Sequence, residues 1–137
     1  SLDIHFDFVN HEKGLLVLHW HEQKVTFKFT VPTSELAQRS IEEATKKEEK
    51  QELVYSNAAE YYLEFAKDTK LALKYASESI KIKETLNGFF IKASILKEMD
   101  NLKEANKFLD KAIKMAKDEK KENWVGYLNR TKTDWNK

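Results

Sequence analysis

All four histidines of this chain, His5, His11, His19 and His21, fall in the first 21 positions, and they are the side chains best suited to do chemistry. His19 and His21 stand two apart in a stretch of strand character, which puts both imidazoles on one face. If the preceding strand pairs antiparallel with Phe6 near Leu18, His5 falls beside His19 and Asp3 beside His21. Three imidazoles and a carboxylate are a donor set that could hold zinc or copper. The simpler reading of the same residues is the polar outer face of a small sheet. Leu15 and Val17 share that face and point to a docked partner rather than to an ion. No metal site is therefore assigned; Asp3, His5, His19 and His21 stand only as candidates.

Other routes to catalysis are thinner still. Gly14, Gly88 and Gly126 are isolated, so neither common spacing of a phosphate-cradling glycine loop occurs. The histidines lie far in sequence from the Ser and Asp residues that a hydrolytic triad would need. The carboxylate pairs Glu42-Glu43 and Glu48-Glu49 sit in charged segments where nothing desolvates them and nothing raises a pKa. The chain has no Cys, which removes disulfides, thiolate metal sites and a thiol nucleophile together. Neither an enzyme nor a cofactor is expected.

What would position any site is a short sheet followed by helices, an α+β chain. Leu2, Ile4, Phe6 and Phe8 alternate with Asp3, His5 and Asp7, the period of a half-buried strand. A polar turn from Asn10 to Lys13, closed by Gly14, leads to a second strand from about Leu15 to His21. Glu22-Gln23 would turn into a third, Lys24 to Val31, with Val25, Phe27, Phe29 and Val31 on one face. This three-stranded antiparallel meander spans residues 1–31, and its apolar face needs cover, for which the helices that follow are available. Pro32 marks the change to a helical region over residues 33–137, with Thr33 or Ser34 as the cap of the first helix.

Two helix pairs of nearly equal length then follow one another. Tyr55, Ala58, Ala59 and Tyr62 precede Ala72, Ala76, Ser79 and Ile80; Phe89, Ala93 and Leu96 precede Ala105, Leu109, Ala112 and Ile113. Tyr55 to Phe89 is 34 positions and Ala72 to Ala105 is 33, the length of a tetratricopeptide repeat. Ala37, Ile41 and Ala44 form a half-repeat ahead of them. The turns fall near Asp68-Thr69 and Asp100-Asn101, the second with a capping box of Asn101 and Glu104. The charged stretches Lys46 to Gln51 and Lys117 to Lys121 read as solvated connectors. Trp124, 35 positions after Phe89, opens a last helix with Tyr127, Leu128, Thr131 and Trp135, giving about six helices in all. Small residues at helix crossings let backbones approach, so Tyr55, Tyr62, Phe89 and Trp124 read as core rather than as a cofactor box. Sheet and last helix would cap the stack.

An even charge balance, 24 basic against 23 acidic residues, supplies no field to gather nucleic acid or anionic lipid. No apolar run approaches the length of a membrane span. The opening Ser1-Leu2-Asp3-Ile4, without Met or a leader pattern, reads as a processed or excised piece. The expected role is a non-catalytic protein-interaction or scaffold module; a small-molecule or metal-binding accessory domain is the alternative. In a tetratricopeptide layout the first helices line a groove. Counting Tyr55, Phe89 and Trp124 as equivalent assigns to it Ser56, Glu60, Leu63 and Glu64, then Phe90, Ser94, Lys97 and Glu98, then Val125, Asn129 and Lys132. The set lacks the Lys and Asn pattern that clamps a terminal carboxylate in chaperone-binding relatives. Phe90 either anchors a partner or packs against the last helix through Val125.

The order of motifs, Phe6-Asp7-Phe8-Val9, Leu16-Val17-Leu18-His19-Trp20, Lys24-Val25-Thr26-Phe27, Ala58-Ala59-Glu60-Tyr61-Tyr62-Leu63-Glu64, Ala72-Leu73-Lys74-Tyr75-Ala76 and Asp134-Trp135, resembles the C-terminal half of a bacterial family. That family is domain of unknown function 2911, typical of Bacteroidetes. The resemblance covers nearly the whole chain, and its motifs are structural. It implies a periplasmic or secreted protein, with a signal peptide and a β-rich N-terminal domain ahead of this region as a possible partner. It implies no catalytic residue.

Overall fold

A computed structural model describes residues 2–10, 13–20, 22–30, 32–47 and 50–137. It contains a three-stranded antiparallel sheet, β1 Leu2–Asn10, β2 Lys13–Trp20 and β3 Gln23–Thr30 in the order β1-β2-β3. Six helices follow: α1 Thr33–Ala44, α2 Gln51–Glu64, α3 Thr69–Ile82, α4 Leu86–Glu98, α5 Leu102–Asp118 and α6 Glu122–Trp135. The chain divides into two compact units, Ser1–Glu42 and Glu43–Lys137. The division falls inside α1 rather than at Pro32, where the change of composition lies. α1 begins on the Pro32 carbonyl, which accepts from the Leu36 amide at 3.0 Å. It buries none of its residues, and Ala37, Ile41 and Ala44 are only half-buried, so the expected half-repeat has no core of its own.

In the sheet unit the two faces are as the alternation requires, but the pairing is two residues from the expected one. β1 sets Phe6 opposite Leu16, not Leu18, and β2 sets Trp20 opposite Gln23. Gln23, expected in the second turn, is therefore the first residue of β3. A shift of two preserves every side chain's face, which is why alternation alone could not detect it. On the apolar face Leu2, Ile4, Val25 and Phe27 are 48% to 58% exposed. On the opposite face Val17 is 2% exposed, held in the central strand between His5 and Thr26.

The helical unit is a succession of hairpins, α2 on α3 and α4 on α5, with α3 against α4 and α5 against α6. Each break has a local cause. Asp68, Thr85 and Asn101 cap α3, α4 and α5 by accepting from the amides of Leu71, Gly88 and Glu104. α2, α4 and α5 end where Lys67, Asp100 and Lys120 take left-handed φ of 55°, 59° and 56°. Beyond two of these, the Asn101 and Lys121 amides reach back to the carbonyls of Leu96 and Ala116 at 2.9 Å. These are glycine-type helix ends made without glycine.

The small residues lie at the crossings. Ala72, Ala76 and Ser79 of α3 are buried, as are Ala105, Leu109 and Ala112 of α5, together with Ala58, Ala59 and Ala93 on the facing helices. Leu86, Phe89, Leu109, Ile113 and Leu128 form the centre of the core. Trp124, expected there, is 37% exposed, and Leu128 takes the buried place on α6. Ser79 stands where the other repeat has Ala because its hydroxyl donates to the Glu52 carbonyl of α2 at 2.7 Å. Ser79→Ala is expected to lower stability by about 1 kcal/mol, the net value of one such bond, read as a shift in the urea midpoint. An unchanged midpoint would mean the bond contributes nothing.

Candidate functional site

The groove is built by the first helices of successive hairpins. α2 contributes Leu63 and Glu64, α4 contributes Phe90, Ser94, Lys97 and Glu98, and α6 contributes Tyr127, Thr131 and Trp135; Lys67 and Thr69 close the end beside α2. Its volume is about 500 Å³, within the range of ligand-sized clefts. The floor is aromatic and aliphatic. The rim carries both charge signs, with Lys97 and Glu98 paired at 3.4 Å. Two of the lining hydroxyls are occupied within their own helices: Ser94 donates to the Phe90 carbonyl at 3.0 Å and Thr131 to that of Tyr127 at 3.0 Å.

Six of the expected groove residues, Leu63, Glu64, Phe90, Ser94, Lys97 and Glu98, line this cleft. The others do not. Ser56 is buried and donates to the Leu53 carbonyl at 3.1 Å, because α2 packs on both α3 and α4 and so buries a wider arc than one stripe. Glu60 is exposed outside the cleft. On α6, Val125 packs toward the core, Asn129 donates to the Val125 carbonyl, and Lys132 pairs with Asp110 of α5. The groove face of α6 is instead Tyr127, Thr131 and Trp135. Phe90 to Tyr127 is 37 positions where 35 was expected.

Phe90 is half-buried, edge-on to Trp124 at 6.1 Å and to Tyr127 at 5.7 Å, and packs against the core. Packing, against the core and through these rings, is therefore its first role. Phe90→Ala is expected to cost about 2 kcal/mol, below the 3–5 kcal/mol of a fully buried Phe, measured by urea unfolding. An unchanged midpoint would return Phe90 to the role of free anchor.

The histidine face is arranged differently from the expected ligand set. His5 sits between the carboxylates of its own strand, with Nδ1 3.1 Å from Asp3 and Nε2 3.5 Å from Asp7. Across the strands His5 faces Val17 and His19 faces Asp3, the consequence of the two-residue shift. His21 lies outside the described residues. Among the described residues no three histidine or acidic side chains gather as a metal would need. Nor is any helix among them long and apolar enough to cross a membrane.

No family model, no curated protein and no solved structure matches this chain. The likeness to the domain of unknown function 2911 family rests on the motifs quoted above alone.

Proposed function

We propose that the helical unit is a non-catalytic interaction module, tetratricopeptide-like in layout, which receives a segment of a partner protein in the cleft between α2, α4 and α6. The observation that carries this is Tyr127. It is 46% exposed at the cleft wall, held edge-on by Phe90 at 5.7 Å and Trp124 at 5.8 Å. A rigid, amphipathic ring standing in a groove is the kind of residue that dominates protein–protein affinity. The mixed charge of Glu64, Lys67, Lys97 and Glu98 suits a partner segment of apolar anchors flanked by both signs. By the family likeness, the module belongs to the C-terminal part of an exported protein.

Selection of peptides from a random displayed library on the immobilised chain tests this directly. Enriched peptides should lose at least tenfold in affinity, about 1.4 kcal/mol, on Tyr127→Ala, with little change in the melting temperature. Peptides that bind the variant equally well, or no enrichment at all, would remove the groove as the site.

A further inference from the structure

A second cleft, of about 620 Å³, lies among the end of α3, α4 and α5 and shares no residue with the groove. Ile80, Lys81, Lys83, Lys92, Phe108 and Lys111 line it. Two of its lysines have ready explanations. Lys81 pairs with Glu78 at 2.6 Å, and both Lys81 and Lys83 sit at the C-terminal end of α3, where the helix dipole favours cations. Lys92 and Lys111 have neither excuse. Lys92 lies in the second turn of α4 and Lys111 in the middle of α5.

These two ammonium groups converge on one ring. The Lys92 Nζ lies 4.5 Å from the Phe108 centroid and the Lys111 Nζ lies 5.3 Å from it, with Phe89 at 5.4 Å from Lys111. The ring faces attract both cations but bring no net charge to neutralise them. Three neighbouring carboxylates are engaged elsewhere, Glu104 with Lys107, Asp110 with Lys132 and Glu78 with Lys81; Glu84 and Asp118 line an adjoining cleft that Lys111 shares. Glu84 stands on the rim of the cleft with Lys92 and Lys111. Lys92 is half-buried. Burial first, then the charge of Lys111, hold its ammonium below the ordinary lysine range; Lys107 and Lys81 act in the same sense and Glu104 opposes.

We propose that this cleft binds a phosphate-class dianion, free or as a phosphate monoester, bridged between Lys92 and Lys111 over Phe108. The chemistry follows from the count of charges. A monovalent carboxylate would neutralise one ammonium and leave the other, whereas the separate oxygens of a phosphate dianion accept from both as charge-assisted hydrogen bonds.

The test is titration calorimetry of the full chain with inorganic phosphate and, separately, phenyl phosphate at two salt concentrations. Three proteins are compared: wild type, the double variant Lys92→Met with Lys111→Met, and the control Lys46→Met with Lys47→Met. Methionine keeps an unbranched stem against Phe108 and drops the charge, and the control removes the same charge from an exposed connector. Wild type should bind at least one probe, the cleft variant should bind at least tenfold more weakly, and the control should stay within twofold. Tighter phenyl phosphate than inorganic phosphate identifies an ester as the ligand; the reverse identifies the free anion. Bound anion should also raise the Lys92 pKa in a side-chain NMR titration. Absence of binding to wild type, or equal losses in the two double variants, overturns the proposal. Should the cleft variant prove unfolded by circular dichroism, Lys111→Met alone decides: its ammonium is at the exposed side, and unchanged binding there sinks the site.

Discussion

Leu109→Ala is expected to cost the helical unit about 3–4 kcal/mol, the range for a fully buried leucine whose neighbours cannot close the gap. Leu109 is 0% exposed and belongs to the cluster in which residues of α4, α5 and α6 meet, with Phe89, Ala93, Ile113 and Leu128 around it. Helices approach it from two sides, so the cavity left by truncation would have to be filled by moving a helix. Against a total stability of about 5–15 kcal/mol for a domain, the loss is large. It corresponds to a fall in melting temperature on the order of 15–25 °C for a unit of this size. Urea unfolding followed by helical circular dichroism measures it, with Leu53→Ala as the reference. Leu53 is exposed on α2, and its truncation should fall within roughly 0.5 kcal/mol of wild type. Equal, small losses for both leucines would mean that α6 does not close over the second hairpin as described.

The parts of the site that were legible in the sequence are those fixed by helix period alone. Leu63 and Glu64 lie 34 positions before Lys97 and Glu98, and both pairs line the groove. The count held there because α3 is of ordinary repeat length. It failed on α6 because the only guide to the third frame was Trp124, and an aromatic at helical spacing does not say which side of the helix is covered. α5 runs on to Asp118, into a charged run where nothing in the sequence separates helix from connector. Lys67, Asp100 and Lys120 are equally silent: each takes a conformation that Gly would advertise. In the sheet the faces were legible and the register was not. Strand alternation has period two, so a slip of two residues leaves Asp3, His5 and His19 on one face while changing which of them meet. That slip separates His5 from His19 across the strands, and only the turn geometry could have revealed it.

Ala105→Leu is the substitution that tests the repeat itself. Ala105 and Ala72 are 0% exposed and stand 33 positions apart, one at the α4–α5 crossing and the other at the α2–α3 crossing. If they are equivalent, they fail in the same way. Leucine is nearly as good a helix former as alanine, so any loss reports the crossing and not the helix. Three extra carbons between two closely approaching backbones must push the helices apart or leave their rotamers, at about 2–3 kcal/mol. Ala72→Leu should cost the same within about 1 kcal/mol, while Lys103→Leu, exposed on α5, should stay within roughly 0.5 kcal/mol of wild type. Ala105→Gly adds the complementary arm. It opens the crossing and should lose about 1 kcal/mol through helix propensity alone, with no steric part. A leucine that is tolerated at position 105 but not at 72 would mean that only the first hairpin is close-packed, and the structural equivalence of the two repeats would fail.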